Sequence, residues 1–275
     1  MTTPFMYQRI AVASTFSPRF VQVLSEAKRI RNRFGSELSL IYVGERGEET
    51  DRKFSDVLRQ LDLPLDSPIH YTKGDPATAI LQVIDKTGID LVIAGALEKE
   101  VVLHPFLGNV ARRLVREARC SVMLFTEPNT EPRPLEKIVF VADYCDYGRS
   151  ALKKAIALAA AEKSDRLYVI RIITTFDEIR AAREASPQNA ENAARPVDEE
   201  IALEEYVLSM GHTDVPIEVR CIRGNTGLAG SDFVDSVNAD LLAVPVPSVQ
   251  ESSGSLPANI SWITDVIPCN LWVIR

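Results

Sequence analysis

The sequence predicts an α/β protein of two tandem doubly wound domains, each a five-stranded, mostly parallel sheet with helices on both faces. Three observations predict it. The chain repeats itself in register, short apolar runs alternate with amphipathic stretches, and 275 residues suit two domains of ordinary size. Gly74-Asp75 returns as Gly224-Asn225, Ile89 to Ile93 as Ala239 to Ala243, Gly95 as Pro245 and Gly108-Asn109 as Ala258-Asn259, all at an offset of 150. Cys120 and Cys269 follow at 149.

The elements of the first copy follow in order. Arg9 to Ser14 is a nearly continuous apolar run, the pattern of a strand buried on both faces. Ser17-Pro18 reads as a helix cap with proline at the first helical position. Phe20, Val21, Leu24, Ala27 and Ile30 then recur at helical spacing, with Gly35 as the stop. Leu38–Val43 is the second strand, Lys53–Leu61 a helical stripe and Ile69–Thr72 the third strand. Asp75-Pro76 caps a helix carrying Ala77, Ile80, Leu81 and Ile84, closed by Gly88. Leu91–Ala94 is the fourth strand. Asn109 is expected to cap the last helix, and Ser121–Phe125 is the final strand.

The second copy has strands at Ile138–Ala142, Leu167–Ile173, Ile217–Cys221, Leu241–Val244 and Leu271–Ile274. Its early offset is 128 to 129 and its later one 150, so an insert lies between its second and third strands, near 174–196. Phe176–Ala185 is expected to be helical and Ser186–Pro196 a loop. The domains are thus 1–127 and 135–275, with 128–134 as a proline-bearing linker.

Composition excludes several classes. Net charge is −7, which disfavours nucleic acid and anionic membranes. No apolar run approaches the roughly 20 residues of a membrane span, and the N-terminus lacks the order of a signal peptide. Four scattered cysteines have no metal or disulfide spacing, so reduced thiols in a cytoplasmic protein are expected. His70, His104 and His212 stand apart from other ligands, and no metal is expected.

Ligands of doubly wound sheets sit beyond the carboxyl ends of the strands. The residues there are Thr15, Val43, Gly74 and Gly95 in the first copy, and Asp143, Ile172, Gly224 and Pro245 in the second. The segment Asp90–Phe125 resembles the universal stress protein family, whose nucleotide-binding members end the fourth strand in Gly-x2-Gly-x9-Gly-Ser/Thr. The register here is Gly95-x2-Glu98-x9-Gly108-Asn109. Gly74-Asp75-Pro76-Ala77 is similar to that family as well, and the likeness spans the whole chain as a tandem pair.

The resemblance implies an adenine nucleotide, with Thr15, Val43, Gly74, Gly95, Gly108, Asn109 and Asp143 as binding candidates. Glycines admit phosphate to the backbone, and the helix start offers N–H groups. Three departures weigh against tight ATP binding. Glu98 replaces a glycine and sets a like charge beside phosphate, which costs about 1 kcal/mol at about 4 Å in water and several times that near a protein surface. Asn109 replaces a hydroxyl residue, and Thr15 stands where the family places an aspartate. The second copy keeps that aspartate as Asp143 but reads Pro245-x2-Ser248-x9-Ala258-Asn259, with every glycine lost.

The expected protein is a non-catalytic regulatory or protective one, with at most weak or partial binding of ATP or another adenine nucleotide in its first domain. The alternative is a protein-interaction module with both sites vestigial. An adenylating enzyme would need a His-x-Gly-His or Ser-Gly-Gly loop after the first strand. The loops here are Ser14-Thr15-Phe16-Ser17 and Asp143-Tyr144-Cys145-Asp146. The resemblance also implies a homodimer, and intramolecular pairing of the domains through Ser121–Phe125 and Asn270–Ile274, which would cover two open sheet edges.

Overall fold

The computed structural model describes residues 6–14, 16–96, 107–174, 196–224, 228–249, 256, 260–264 and 267–275. Thr15, Glu98, His104, Ala258, Asn259 and nearly all of the insert lie outside them. The chain forms two compact units. The first comprises Met1–Arg133, Ser248–Ser255 and Asn270–Arg275, and the second comprises Pro134–Pro247 and Leu256–Cys269.

The first unit runs β1 (Arg9–Ser14), α1 (Phe20–Phe34), β2 (Glu37–Val43), α2 (Glu48–Gln60), β3 (Ile69–Thr72), α3 (Pro76–Thr87), β4 (Leu91–Gly95), α4 (Asn109–Glu117) and β5 (Ser121–Phe125). These five strands are parallel, in the order β3-β2-β1-β4-β5. Right-handed crossovers put α1 and α2 on one face, and α3 and α4, which pack together, on the other. Leu91, Val92, Ile93 and all of β5 are buried, as a sheet covered on both faces requires.

A sixth strand, Asn270–Ile274, joins this sheet antiparallel to β5, with Leu271 opposite Leu124 and Trp272 opposite Met123. Asn270 Oδ1 accepts from the Thr126 N–H at 2.9 Å. Trp272 is fully buried against Tyr7 and Phe34. The proline-bearing segment after β5 is tied to α1: Ser25 donates to the Thr130 carbonyl at 2.8 Å, and the Asn129 N–H donates to buried Glu26 at 3.3 Å.

The second unit runs β6 (Lys137–Val141), α5 (Asp146–Glu162), β7 (Arg166–Thr174), α6 (Pro196–Leu208), β8 (Ile217–Gly224), α7 (Leu228–Ser236) and β9 (Leu241–Pro245). A 3-10 turn, Ser261–Thr264, follows. Its four strands are parallel in the order β9-β6-β7-β8. Register repeats between copies: Ile10 faces Leu38 and Leu91, and Ile138 faces Leu167 and Leu241.

The repeat extends to single hydrogen bonds. Ser36 donates to the Tyr7 carbonyl at 2.6 Å, and Ser164 donates to the Leu135 carbonyl at 2.6 Å. Asp90 accepts from the Gln8 and Arg9 N–H groups, and Asp240 accepts from the Lys137 N–H at 2.8 Å. These two aspartates thus stitch the first strand of each copy to the turn before the fourth.

Helix ends follow the sequence in part. Asp75 caps α3 and accepts from the Thr78 N–H at 3.0 Å, with Pro76 in the first turn. Gly35 and Gly88 close α1 and α3 in the left-handed conformation, with φ of 67° and 63°. Two expected caps are corrected. Ser17 is not a helix cap: Ser17-Pro18-Arg19-Phe20 forms a turn, and α1 starts at Phe20. Asn109 lies inside α4 as its first residue, and extended Gly108 is the cap.

At the position equivalent to Gly35, the second copy places Lys163 at φ 58°. A side chain there is strained. Lys163→Gly is therefore expected to raise stability by up to about 1 kcal/mol, measured as a higher urea midpoint. A lower midpoint would show that the lysine stem contributes more than the strain removes.

Candidate functional site

In the first unit, strand order reverses between β1 and β4. The carboxyl ends of those strands part there and leave a crevice, where ligands of doubly wound sheets bind. A cleft of about 560 Å³ occupies it. Ala13 and Gly95 line it from the ends of β1 and β4, Val43 from the end of β2, and Gly108 from the start of α4. Phe20 and Val23 of α1, Ile80 of α3 and Leu114 of α4 wall the remainder.

The size suits a small organic ligand. Gly95 is needed for close packing, because a Cβ there would stand 3.1 Å from Val23 Cγ2. The first turn of α4 presents N–H groups that no helical carbonyl uses. The described lining is otherwise mostly apolar. Its polar side chains are Ser17 and Arg19. Arg19 donates to the Thr126 carbonyl at 3.5 Å.

An aromatic cluster pins the loop between β1 and α1. Phe16 packs on Phe54, Tyr42 and Phe20, with ring centroids 4.7, 5.0 and 5.7 Å apart. Tyr71 joins through Tyr42 and donates to Asp51. Burial and Asp51 push the Tyr71 phenol up to about 12.

One basic residue of α4, Arg113, is already neutralised. Arg113 contacts Asp75 at 2.7 Å and grips both oxygens of Glu117 at 2.9 Å. Asp75 is held below the usual carboxylate range, chiefly by Thr78 and then by Arg113. Arg119 lies 3.8 Å from Asp85. Arg113 and, beyond the end of α4, Arg119 are thus ion-paired, whereas Arg112 buries its Nε without a hydrogen-bond partner among the described residues.

Of the seven sequence candidates, Val43, Gly95 and Gly108 come together around this cleft. Gly74 precedes the α3 cap at φ 112°, a turn that only glycine adopts easily, and it does not line the cleft. Asn109 is exposed and does not line it either. Thr15 lies outside the described residues.

Asp143 belongs to the second unit, two residues beyond β6. Its carboxylate accepts from the Cys145 N–H at 3.3 Å and from the Tyr147 hydroxyl at 2.9 Å. Its carbonyl accepts from the Tyr206 hydroxyl at 2.9 Å. Burial first, then Cys145 and Asp143, push the Tyr147 phenol up. Arg171 stacks on the Tyr144 ring at 4.7 Å and donates to the Ala142 carbonyl. The acid that sequence reasoning offers as a nucleotide candidate helps to organise the start of α5. Tyr147, four residues on, was a local clue to this; Tyr206, 63 residues on, gave none.

The cysteines are free thiols, and burial pushes that of Cys120 up to about 12. His212 is 3.6 Å from Asp214 in an exposed surface pair. Among the described residues, no cluster of three His, Cys, Asp or Glu side chains is placed to hold a metal, and no helix is long and apolar enough to cross a membrane.

A doubly wound domain with a glycine-walled cleft at its switch point defines the class of α/β proteins that place a ligand crevice at the strand ends. Within that class, residues 46–126 match the universal stress protein family. Universal stress protein MJ0531 of Methanocaldococcus jannaschii is 22% identical over 148 residues, 46% of this chain and 86% of that protein. A candidate universal stress protein from Pseudomonas aeruginosa UCBPP-PA14 superposes with a TM-score of 0.67 at 16% identity, over 99% of this chain and 95% of the other. A universal stress protein from Archaeoglobus fulgidus DSM 4304 gives 0.61 at 10% identity, over 99% of each chain. At these identities the structural likeness shows the fold.

Proposed function

We propose that this chain is a non-catalytic regulatory or protective protein of the universal stress type, and that its ligand site is the cleft of the first unit. The observation that carries this reading is the inequality of the two copies. The first keeps an open cleft at the switch point with Gly95 and Gly108 in its wall. In the second, the equivalent of Gly95 is Pro245, which has no N–H to donate, and Asp143 is engaged by Cys145 and Tyr147.

Adenine nucleotides bind weakly on this reading, since the described lining offers a triphosphate only Arg19, itself a donor to the Thr126 carbonyl, and offers few partners to a base. Calorimetry with ATP, ADP and AMP is expected to give dissociation constants no tighter than about a millimolar, about −4 kcal/mol. Micromolar binding of any of them contradicts the weak-nucleotide reading. A second reading, in which both sites are vestigial and the chain acts through its surfaces, is favoured by the internal engagement of Asp143. It predicts that no small molecule accompanies the purified protein in native mass spectrometry.

A further inference from the structure

The amino ends of the first unit's strands hold a further cavity, of about 390 Å³. It lies at the opposite end of the sheet from the switch-point cleft. Arg9 opens β1, Glu37 opens β2, and Arg31 is in the last turn of α1. Asp66, Pro64 and Pro68 come from the loop between α2 and β3. Two guanidiniums and two carboxylates thus line one cavity, together with buried Ile10, Leu38 and Ile89.

These opposite charges have not collapsed onto one another. Arg9 and Glu37 are register partners on adjacent strands. Yet the Arg9 guanidinium donates to the Thr87 carbonyl at the end of α3, at 2.8 Å. Arg31 donates to Asn32 Oδ1 at 3.2 Å, and its Nε is buried with no hydrogen-bond partner among the described residues. A guanidinium has five N–H donors, so each arginine is anchored by one bond and keeps others for a ligand. Glu37 and Asp66 are exposed and form no ion pair among the described residues.

We infer that this cavity takes a zwitterion, a free α-amino acid with a medium-sized apolar side chain. Arg31 and Arg9 receive its carboxylate, Glu37 and Asp66 receive its ammonium, and Pro64, Pro68 and Ile89 receive its side chain. Guanidinium matches carboxylate in a two-pronged geometry, and an ammonium brings three donors to the two acids. The four charges of the lining sum to zero. A ligand with both signs answers all of them, whereas a plain anion or cation also meets charges of its own sign. His70, in the same lining, adds little charge at neutral pH, because burial holds its imidazole below the usual range. The volume is at the small end of ligand pockets, which suits a molecule of this size.

The test titrates the full chain with L-leucine and L-phenylalanine, followed by amide NMR, against two half-analogues of leucine. 3-Methylbutylamine lacks the carboxylate, and 4-methylpentanoate lacks the ammonium. Each gives up one set of charge-assisted bonds and is expected to bind at least about tenfold more weakly than leucine. Shifts are expected at Glu37, Ser39, Ser67 and His70. Arg31→Gln is expected to weaken leucine about tenfold without weakening 3-methylbutylamine. Asp66→Asn, an exposed change that leaves the core intact, is expected to weaken leucine about fivefold without weakening 4-methylpentanoate. No shift with either amino acid would overturn the inference, as would a half-analogue that binds as tightly as leucine. Shifts at Gly95 and Gly108 in place of Glu37 and His70 would put leucine in the cleft and overturn it too. The cleft is a separate site, so failure here leaves its reading standing.

Discussion

Replacing Trp272 by alanine is expected to lower the stability of the first unit by about 3–5 kcal/mol. Trp272 is the largest of the fully buried side chains. It stands 6.2 Å from Tyr7 and 6.3 Å from Phe34, ring to ring. Tyr7 in turn donates to Ser121 at 2.8 Å. One indole therefore ties the segment before β1, the end of α1 and the start of β5 to the last strand of the chain. Alanine would leave a void among groups that the surrounding strands hold apart. Trp272→Phe keeps most of the contact and is expected to cost under about 1.5 kcal/mol. Urea unfolding followed by amide exchange of Val122 to Leu124 reads the loss. Unchanged protection of those amides in Trp272→Ala would show that Asn270–Ile274 is not part of this core.

Gly148→Ala is expected to cost about 3 kcal/mol, although glycine-to-alanine inside a helix ordinarily gains about 1 kcal/mol. The sign reverses because of what stands beside it. A Cβ at Gly148 would meet the Asp143 carbonyl oxygen at 2.0 Å and its carbon at 2.8 Å. Main chain cannot swing aside as a side chain can. The same carbonyl accepts from Tyr206, so any shift also strains the contact between α6 and the β6–α5 turn. Equilibrium unfolding and the absorbance of Tyr206 report both effects. A gain in stability would mean that α5 does not start beneath Asp143 as described.

Most of the fold was legible because its signals are local. Buried parallel strands read as short apolar runs, and β3 and β5 fall where those runs predict. Asp75-Pro76, Gly35 and Gly88 mark helix ends through backbone chemistry that acts within a few residues. Ser17 and Asn109 misled because a capping residue type and a capping position are different things: Pro18 suits a turn as well as a first helical residue, and Gly108 already supplied the extended conformation that α4 needed.

The site was legible only as a scaffold. Gly95, Gly108 and Val43 meet because the topology brings strand ends and one helix start together. Its chemistry came from separations that no spacing rule spans. Arg113 is cancelled by Asp75, 38 residues away, and the Asp143 carbonyl is held by Tyr206. A sequence motif names an aspartate or an arginine. Only the packed neighbours decide whether its charge faces a ligand or another side chain.

The central claim is that ligand binding belongs to the cleft of the first unit and not to the Asp143 region of the second. Amide hydrogen exchange with and without AMP, at concentrations well above its expected millimolar dissociation constant, separates the two regions. Slower exchange is expected at Gly95 and at Gly108 to Ala111, with Asp143 to Arg149 unchanged. Protection centred on Asp143 to Arg149, with none at Gly95 or the start of α4, would contradict it.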